Sequence, residues 1–197
     1  MKKKIVTWVV TVGFLTITAV TAHANLITNG DFSLPVPNNG TGNGWTAAHN
    51  DYAGGWRSTT GNPGGVFILN DDGSTCCDPS IQQEIIGLDT SVTYRLEGDY
   101  AGGYLPSSEA PLAVDVGSTT YFMAYLGKQW THFSIDFKPE AASITIKFRA
   151  EINGSDTDYK IDNIALNAVP LPGAIWLLGS GFAGLIGLKC KKSIKSA

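Results

Sequence analysis

Between residues 25 and 168 the chain alternates short runs of β-branched and aromatic residues with turn-forming Gly, Asn, Asp, Ser and Thr. Several runs place apolar residues at every second position, as Ile144, Ile146 and Phe148 do, and this period is typical of strands with one buried face. Gly87 and Pro139 lie in polar segments that predict turns. The predicted strands are Val66–Leu69, Ser80–Ile86, Val92–Tyr100, Leu112–Val116, Tyr121–Tyr125, Thr131–Phe137, Ser143–Glu151 and Tyr159–Leu166.

These short strands with turn punctuation predict an all-β fold, a two-sheet jelly-roll sandwich. The segment 25–168 contains 144 residues, which is enough for one domain with a single hydrophobic core. We call this segment the ectodomain, because both flanking segments have the pattern of export signals.

The first 24 residues have the three parts of a secretory signal peptide. Lys2–Lys4 supply the positive start, Ile5–Val20 is apolar, and Ala22 and Ala24 flank His23 in a small-x-small cleavage pattern. We expect cleavage after Ala24, so that the mature chain starts at Asn25 and is exported through the inner membrane. An uncleaved anchor is the alternative.

The C-terminal segment 169–192 combines a proline motif, an apolar stretch and a basic tail. The motif consists of Val169, Pro170, Leu171 and Pro172. A helix of about 20 apolar residues spans the ~30 Å hydrocarbon core of a bilayer, and lysines in the tail 189–192 favour a cytoplasmic end. We therefore predict a single transmembrane helix at about 172–188. A buried C-terminal hairpin is the alternative.

In this order, the motif Val169–Pro172, the Gly-rich apolar run and the basic end resemble a PEP-CTERM sorting signal, closest to its VPLPA variant. The chain departs from that variant in having Gly173 where Ala is usual, and in a Lys-rich rather than Arg-rich end. The resemblance implies that an exosortase of a Gram-negative bacterium processes the chain near the motif. The mature protein would then be at the cell surface or extracellular.

The ectodomain carries a second resemblance, to the galactose-binding-like jelly roll shared by several carbohydrate-binding modules. The motifs that carry it are Asn25–Ser33, Gly44-Trp45, Ser80–Glu84 before Gly87-Leu88 and Tyr94, Trp130 with Phe133 and Phe137, and Tyr159–Leu166. The resemblance implies a sandwich fold and, less directly, sugar binding, because one fold hosts many functions.

In that family a structural calcium often joins the first strand to the last. The matching positions here are Asp31 and Asp162, and Ser33 stands where relatives often have Glu. Carboxylate and carbonyl oxygens are the ligands that Ca²⁺ prefers. The resemblance thus implies a possible calcium site at Asp31 and Asp162, with metal-free surface turns as the alternative.

The charge of the ectodomain argues against nucleic acid as a partner. It contains seventeen acidic and seven basic residues, a net charge of −10. Binding to DNA or RNA depends on basic contacts to phosphate. An acidic surface instead fits an extracellular or periplasmic protein.

A sugar site would need exposed aromatic rings flanked by hydrogen-bonding groups. Aromatic residues in or beside Gly-rich segments are Trp45, Tyr52, Trp56, Tyr100 and Tyr104. Among them we expect Trp56, Tyr100 and Tyr104 to form the carbohydrate-binding platform. For each, core or loop packing is the alternative.

No catalytic grouping stands out in the sequence. After signal cleavage the only histidines are His49 and His132, and the chain has no G-x-S-x-G motif. Pairs of carboxylates such as Glu97 and Asp99 occur, but seventeen acidic residues in the ectodomain produce such pairs by chance. We predict no catalytic residue and a protein that is not an enzyme.

Cys76 and Cys77 are adjacent in the ectodomain, and the third cysteine, Cys190, lies in the basic tail. In an oxidising compartment the pair predicts a vicinal disulfide. Free thiols or intermolecular bridges are the alternatives.

Three functions remain compatible with the sequence. The first is an exported, non-catalytic surface or matrix protein that associates with extracellular polysaccharide. The second is a structural or adhesive module that binds other proteins without binding sugar. The third, an enzyme acting on polysaccharide, lacks a catalytic constellation.

Overall fold

The structure is a computed structural model that describes residues 25–50, 53–72, 78–103, 111–150 and 156–170. Within these ranges the regular elements are all strands. They are β1 (Gly40–Gly42), β2 (Trp45–Ala48), β3 (Gly55–Gly61), β4 (Gly64–Asp72), β5 (Ser80–Ile86), β6 (Tyr94–Gly102), β7 (Leu112–Val116), β8 (Thr119–Met123), β9 (Thr131–Phe137), β10 (Ser143–Ala150) and β11 (Asp156–Ala168).

The strands form two antiparallel sheets. The six-stranded sheet has the order β1-β2-β5-β10-β7-β8, and the five-stranded sheet has the order β3-β4-β11-β6-β9. The register of the central strand β10 places Phe148 opposite Ile81 of β5 and Val114 of β7. This all-β, two-sheet sandwich confirms the fold class predicted from the sequence.

The predicted strands correspond closely to the observed ones. The bounds of β5, β7 and β9 are those predicted, while β4, β6, β8, β10 and β11 overlap their predictions and differ at the ends. Three strands, β1, β2 and β3, were not predicted. Their sequences are short or rich in Gly, Thr and Ser, which are residues that also mark turns.

The core lies between the inner faces of the two sheets, as alternation along the strands requires. In β10, Ile144, Ile146 and Phe148 point inward and are buried. The Phe148 ring packs against Phe133 of β9 in the other sheet, with ring centroids 6.1 Å apart and an edge-on geometry. Burial of each such side chain stabilises the fold by about 1.5–3 kcal/mol.

The segment 25–32 inserts an aromatic side chain at one margin of the sandwich. The Phe32 side chain is fully buried. Its ring centroid lies 5.5 Å from that of Trp45 in β2 and 6.0 Å from that of Phe67 in β4. Because β2 and β4 belong to different sheets, Phe32 joins the sheets at this margin.

Backbone hydrogen bonds fix the same segment to β11. The Leu26 N–H donates to the carbonyl of Leu166 over 2.9 Å, and the Ile164 N–H donates to the carbonyl of Gly30 over 2.8 Å. The Gln83 side chain of β5 accepts from the N–H of Thr28 and donates to its carbonyl. The segment is therefore bonded to both sheets.

Both export signals lie outside the described residues. These are the signal peptide 1–24 with its cleavage residues Ala22 and Ala24, and the transmembrane helix and basic tail beyond residue 170. Within the described ranges, no helix has the length and apolar character needed to cross a bilayer.

Gly30 gives a direct test of how tightly the segment 25–32 is held. A Cβ atom at this position would lie 1.9 Å from the carbonyl oxygen of Ile164, and this oxygen belongs to the backbone of β11. The hydrogen bond between the two residues would have to break. We expect Gly30→Ala to lower the free energy of unfolding by about 3 kcal/mol or more, measured by chemical denaturation.

Gly87→Ala is the matched control, because a Cβ there meets no atom within 4 Å although the residue has φ +80°. Its free energy of unfolding should fall by about 1–2 kcal/mol, because alanine is strained in a left-handed backbone conformation. Equal losses for the two variants would contradict the role of the segment 25–32.

Candidate functional site

A groove opens at one end of the sandwich, where the chain crosses between the sheets. It has a volume of about 480 Å³ and is lined by residues of the segments 116–121 and 137–145. These segments hold the β7–β8 turn and the β9–β10 loop. We call it the end groove. Its size is within the range of small-ligand sites, about 300–1,000 Å³.

Two aromatic side chains give the end groove apolar surface. Tyr121 of β8 pairs with Val114 of β7, so its side chain is on the inner face of its sheet. Phe137 ends β9 and stacks on Tyr94 of the neighbouring strand, with ring centroids 6.3 Å apart. Both are partly buried against the core, and each contributes to the groove lining.

The rim of the end groove is polar. The Ser118 hydroxyl donates to Oε2 of Glu140 over 3.3 Å, which links the β7–β8 turn to the β9–β10 loop. The Ser143 hydroxyl donates to Oε1 of Glu84 over 2.7 Å. Lys138 contributes an ammonium group to the same rim.

The β7–β8 turn holds this rim in place through Gly117. Its φ is +59°, a left-handed conformation that favours glycine. Its N–H donates to the carbonyl of Thr145 in β10 over 3.0 Å. The turn is therefore anchored to the sheet beneath it, so the rim is preorganised.

The Tyr121 hydroxyl accepts and donates no hydrogen bond within the part of the chain that the structure describes. It is therefore available to a ligand. The groove thus combines a partly exposed aromatic ring, a free hydroxyl and several polar groups in one concave surface.

The structure describes two of the three residues of the predicted platform, and neither lines the end groove. Tyr100 is 4% exposed and its hydroxyl donates to the carbonyl of Ala124, so its ring belongs to the core and presents no face to a sugar. Trp56 is half-buried and donates through its indole N–H to the carbonyl of Phe32 over 2.6 Å. Tyr104 lies outside the described residues.

The sequence prediction missed Tyr121, Phe137 and the polar rim. The period-two pattern does place Tyr100 inward together with Leu96, so the core position of Tyr100 was available from the sequence. The groove itself depends on the crossing of the chain between sheets, which no local pattern indicates.

Asp162 is fully buried, whereas Asp31 is exposed. The two oxygens of Asp162 accept the backbone N–H groups of Asn62 (2.5 Å) and Asn163 (2.7 Å). Burial raises the pKa of the Asp162 carboxyl; the two N–H groups oppose the rise, and the charges of Asp99 and Asp31 add to it.

This donor set does not fit the predicted calcium site. Ca²⁺ takes six to eight oxygen ligands, but N–H groups are directed at both oxygens of Asp162. The Asp31 carboxylate accepts the N–H of Ser33. The described ranges hold no group of three or more His, Cys, Asp or Glu that could bind a metal.

His132 is an exposed residue of β9. Its side chain is 61% exposed, and its Nδ1 lies 3.0 Å from Oδ1 of Asp99. Asp99 also accepts hydrogen bonds from the side chains of Asn62 and Asn163. Within the described ranges the His132 side chain bonds to Asp99 alone.

Cys76 and Cys77 lie outside the described residues, so the vicinal disulfide stays a prediction. The same holds for Leu171 and Pro172 of the sorting motif. Val169 and Pro170 are described, and the Val169 N–H donates to the carbonyl of Thr93 over 2.8 Å. The first residue of the motif is thus bonded directly to the sandwich.

The raised pKa of Asp162 predicts how stability varies with pH. The protonated carboxyl favours the folded state, so its contribution to the free energy of unfolding falls as pH rises through the folded pKa. In Asp162→Asn the side chain cannot ionise and has one acceptor oxygen fewer, so we expect the free energy of unfolding to fall by about 1–3 kcal/mol. We expect this cost to be larger at about pH 4 than at about pH 7, measured by urea denaturation.

Asp115→Asn is the matched control, and its loss of stability should depend on pH in the opposite direction. Burial opposes ionisation of Asp115, but hydrogen bonds from Arg149 and Thr120, with the charge of Arg149, outweigh it and lower its pKa. Its stabilising contribution is therefore present at neutral pH and lost on acidification, so this cost should grow from about pH 4 to about pH 7. The same pH trend in both variants would contradict the assignment.

Solved structures with a fold similar to this sandwich include several carbohydrate-binding proteins. A protein proposed to bind sugar, from Bacteroides thetaiotaomicron, has a TM-score of 0.56 at 13% identity, covering 74% of this chain and 100% of its own. The CBM22-1 xylan-binding domain of Xyn10C from Paenibacillus barcinonensis has a TM-score of 0.52 at 13% identity, covering 78% and 100%. A carbohydrate-binding module described as CBM4 has a TM-score of 0.50 at 21% identity, covering 73% and 99%.

No family model and no curated protein matches the chain. At these identities the structural likeness shows the fold alone. The chain has the two-sheet jelly-roll sandwich found in carbohydrate-binding modules.

Proposed function

We propose that the chain is an exported, non-catalytic protein whose sandwich binds extracellular polysaccharide in the end groove. The observation that carries this proposal is the composition of the groove. It combines the partly exposed Tyr121 ring and its free hydroxyl with the hydroxyl and charged groups of Ser118, Lys138, Glu140 and Ser143.

This composition matches the two-sided chemistry of a sugar ring. One face of a pyranose presents C–H groups that pack against an aromatic ring, and its edge carries hydroxyls that both donate and accept hydrogen bonds. Ligand sites with mostly apolar walls and a few placed polar groups use the same division. The end groove supplies both kinds of contact within one concave surface.

The solved structures support the same function. The similar chains include a xylan-binding domain and carbohydrate-binding modules. They share the sandwich with this chain, and their binding of carbohydrate makes the polysaccharide of the cell exterior a suitable ligand class here. The proposal assigns no catalytic step to the chain.

The sorting part of the proposal rests on the sequence. An exosortase would process the chain at Val169–Pro172, after the helix at about 172–188 has anchored it with a cytoplasmic tail. The hydrogen bond from Val169 to Thr93 supports a short connection between the sandwich and this motif. The processed ectodomain would then reach the surface of a Gram-negative cell or its surroundings.

An adhesive function is the second candidate, and one observation favours it. β8 is an edge strand, and Phe122 on its outer face is 59% exposed. Leu126, which follows the strand, is 60% exposed. An edge strand with exposed apolar side chains can pair with another protein. In this alternative the ectodomain binds a protein and no sugar.

Tyr121→Ala tests the proposed groove. Because the variant removes the aromatic face and the free hydroxyl, we expect retention of the purified chain on exopolysaccharide to fall at least about tenfold, a loss of about 1.4 kcal/mol or more. Affinity electrophoresis in gels containing the polysaccharide measures this. Tyr121→Phe should retain most of the binding, because the ring remains.

Phe122→Ala is the matched control on the same strand, since its side chain is on the opposite face of the sheet. We expect it to bind polysaccharide as the wild type does. Loss of binding in Phe122→Ala with normal binding in Tyr121→Ala would place the sugar site outside the end groove. Absence of wild-type binding would favour the adhesive function.

Changing both Pro170 and Pro172 to Ala tests the sorting proposal. We expect the precursor to persist in the membrane fraction, because the processing enzyme would no longer recognise the motif. Immunoblotting of membrane, surface and culture fractions distinguishes precursor from product. Normal processing and surface delivery of the double variant would refute exosortase sorting.

A further inference from the structure

We infer that the end groove selects uncharged sugar chains over chains that carry carboxylates. This inference rests on the proposed function and names the ligand class of the same site. It follows from the arrangement of charges and hydrogen-bonding groups around the groove.

Three carboxylates, those of Glu140, Glu84 and Asp89, lie in or beside the rim to which Lys138 belongs. Glu140 is in the groove lining beside Lys138, and Glu84 lies beyond Ser143, whose hydroxyl it accepts. Hydrogen bonds from Ser91 lower the pKa of Asp89, burial opposes this slightly, and the nearby Lys138 ammonium adds a smaller lowering. A carboxylate on the ligand would therefore enter a region of negative charge.

The hydrogen-bonding groups point to the same ligand class. Ser118 and Ser143 donate their hydroxyl protons to Glu140 and Glu84, so their oxygens face a ligand mainly as acceptors. Sugar hydroxyls can donate to these oxygens and accept from Tyr121 or Lys138. A carboxylate can only accept, so it would leave the acceptors of the rim unpaired.

The charge of the whole ectodomain acts in the same direction. Its net charge is −10. At physiological ionic strength this field is screened over about 8 Å, so the groups next to the groove dominate. At low ionic strength the wider acidic surface adds to the repulsion. The preference for neutral sugar should therefore depend on salt.

The test compares two ligands that differ only at C6, a neutral β-linked oligosaccharide and its C6-oxidised uronate counterpart, so that a hydroxyl is replaced by a carboxylate. The ligands are drawn from the chain type that the wild-type protein retains in the polysaccharide assay. Isothermal titration calorimetry of the full-length protein gives both affinities. We expect the neutral ligand to bind about tenfold more tightly at low salt, with the preference shrinking at about 0.5 M salt as the charges are screened.

Glu140→Gln should reduce the ratio of the affinities for the neutral and the uronate ligand at low salt, because it removes the carboxylate in the groove. Glu97→Gln is the matched control, since it makes the same change of net charge on β6, in the other sheet. It should leave the preference near that of the wild type. An equal effect of the two substitutions would assign the selectivity to net charge and overturn the inference.

The outcomes separate the inference from the proposed function. Equal or tighter binding of the uronate at low salt overturns the inference, while the proposed function stands. Absence of binding of both ligands, together with no retention on polysaccharide, overturns the proposed function itself. Neutral-ligand preference that is insensitive to Glu140→Gln also overturns the inference.

Discussion

The fold depends on the insertion of the segment 25–32 between the two sheets. Phe32 fills the space between Trp45 of the six-stranded sheet and Phe67 of the five-stranded sheet. Backbone hydrogen bonds from the same segment continue along β11, and Gln83 holds Thr28 from the other sheet. Apolar burial and directional bonding thus coincide at one margin of the sandwich. A movement of one sheet relative to the other at this margin would break the hydrogen bonds of the segment 25–32 and expose the Phe32 ring.

The end groove involves other elements, the β7–β8 turn and the β9–β10 loop. The groove occupies the space where β9 leads into β10 and so changes sheet. Tyr121 and Phe137 are partly buried in the wall and remain partly accessible. A rigid core therefore presents an aromatic surface with little conformational freedom to lose on binding, which favours affinity.

Much of the fold could be predicted, because period-two alternation records which face of each strand is buried. It defined β5, β7 and β9 to the residue. It failed for β3, whose Gly, Ser and Thr residues also form turns. The binding site could be predicted less well from the sequence than the fold. Ser118 and Glu140 are 22 positions apart and meet only through the sheet register, which the sequence does not specify. The aromatic residues chosen from Gly-rich segments included Tyr100, which the structure buries.

Binding of sugar in the end groove can be followed by ¹H–¹⁵N NMR titration of the isotopically labelled protein with a neutral oligosaccharide. We expect concentration-dependent shifts of the backbone amides around the groove, above all those of Gly117, Ser118, Glu140 and Ser143. The amides of Glu97 and Ser134, in the five-stranded sheet, should not shift. Shifts confined to other parts of the sandwich, or no shifts at saturating ligand, would mean that the end groove does not bind sugar.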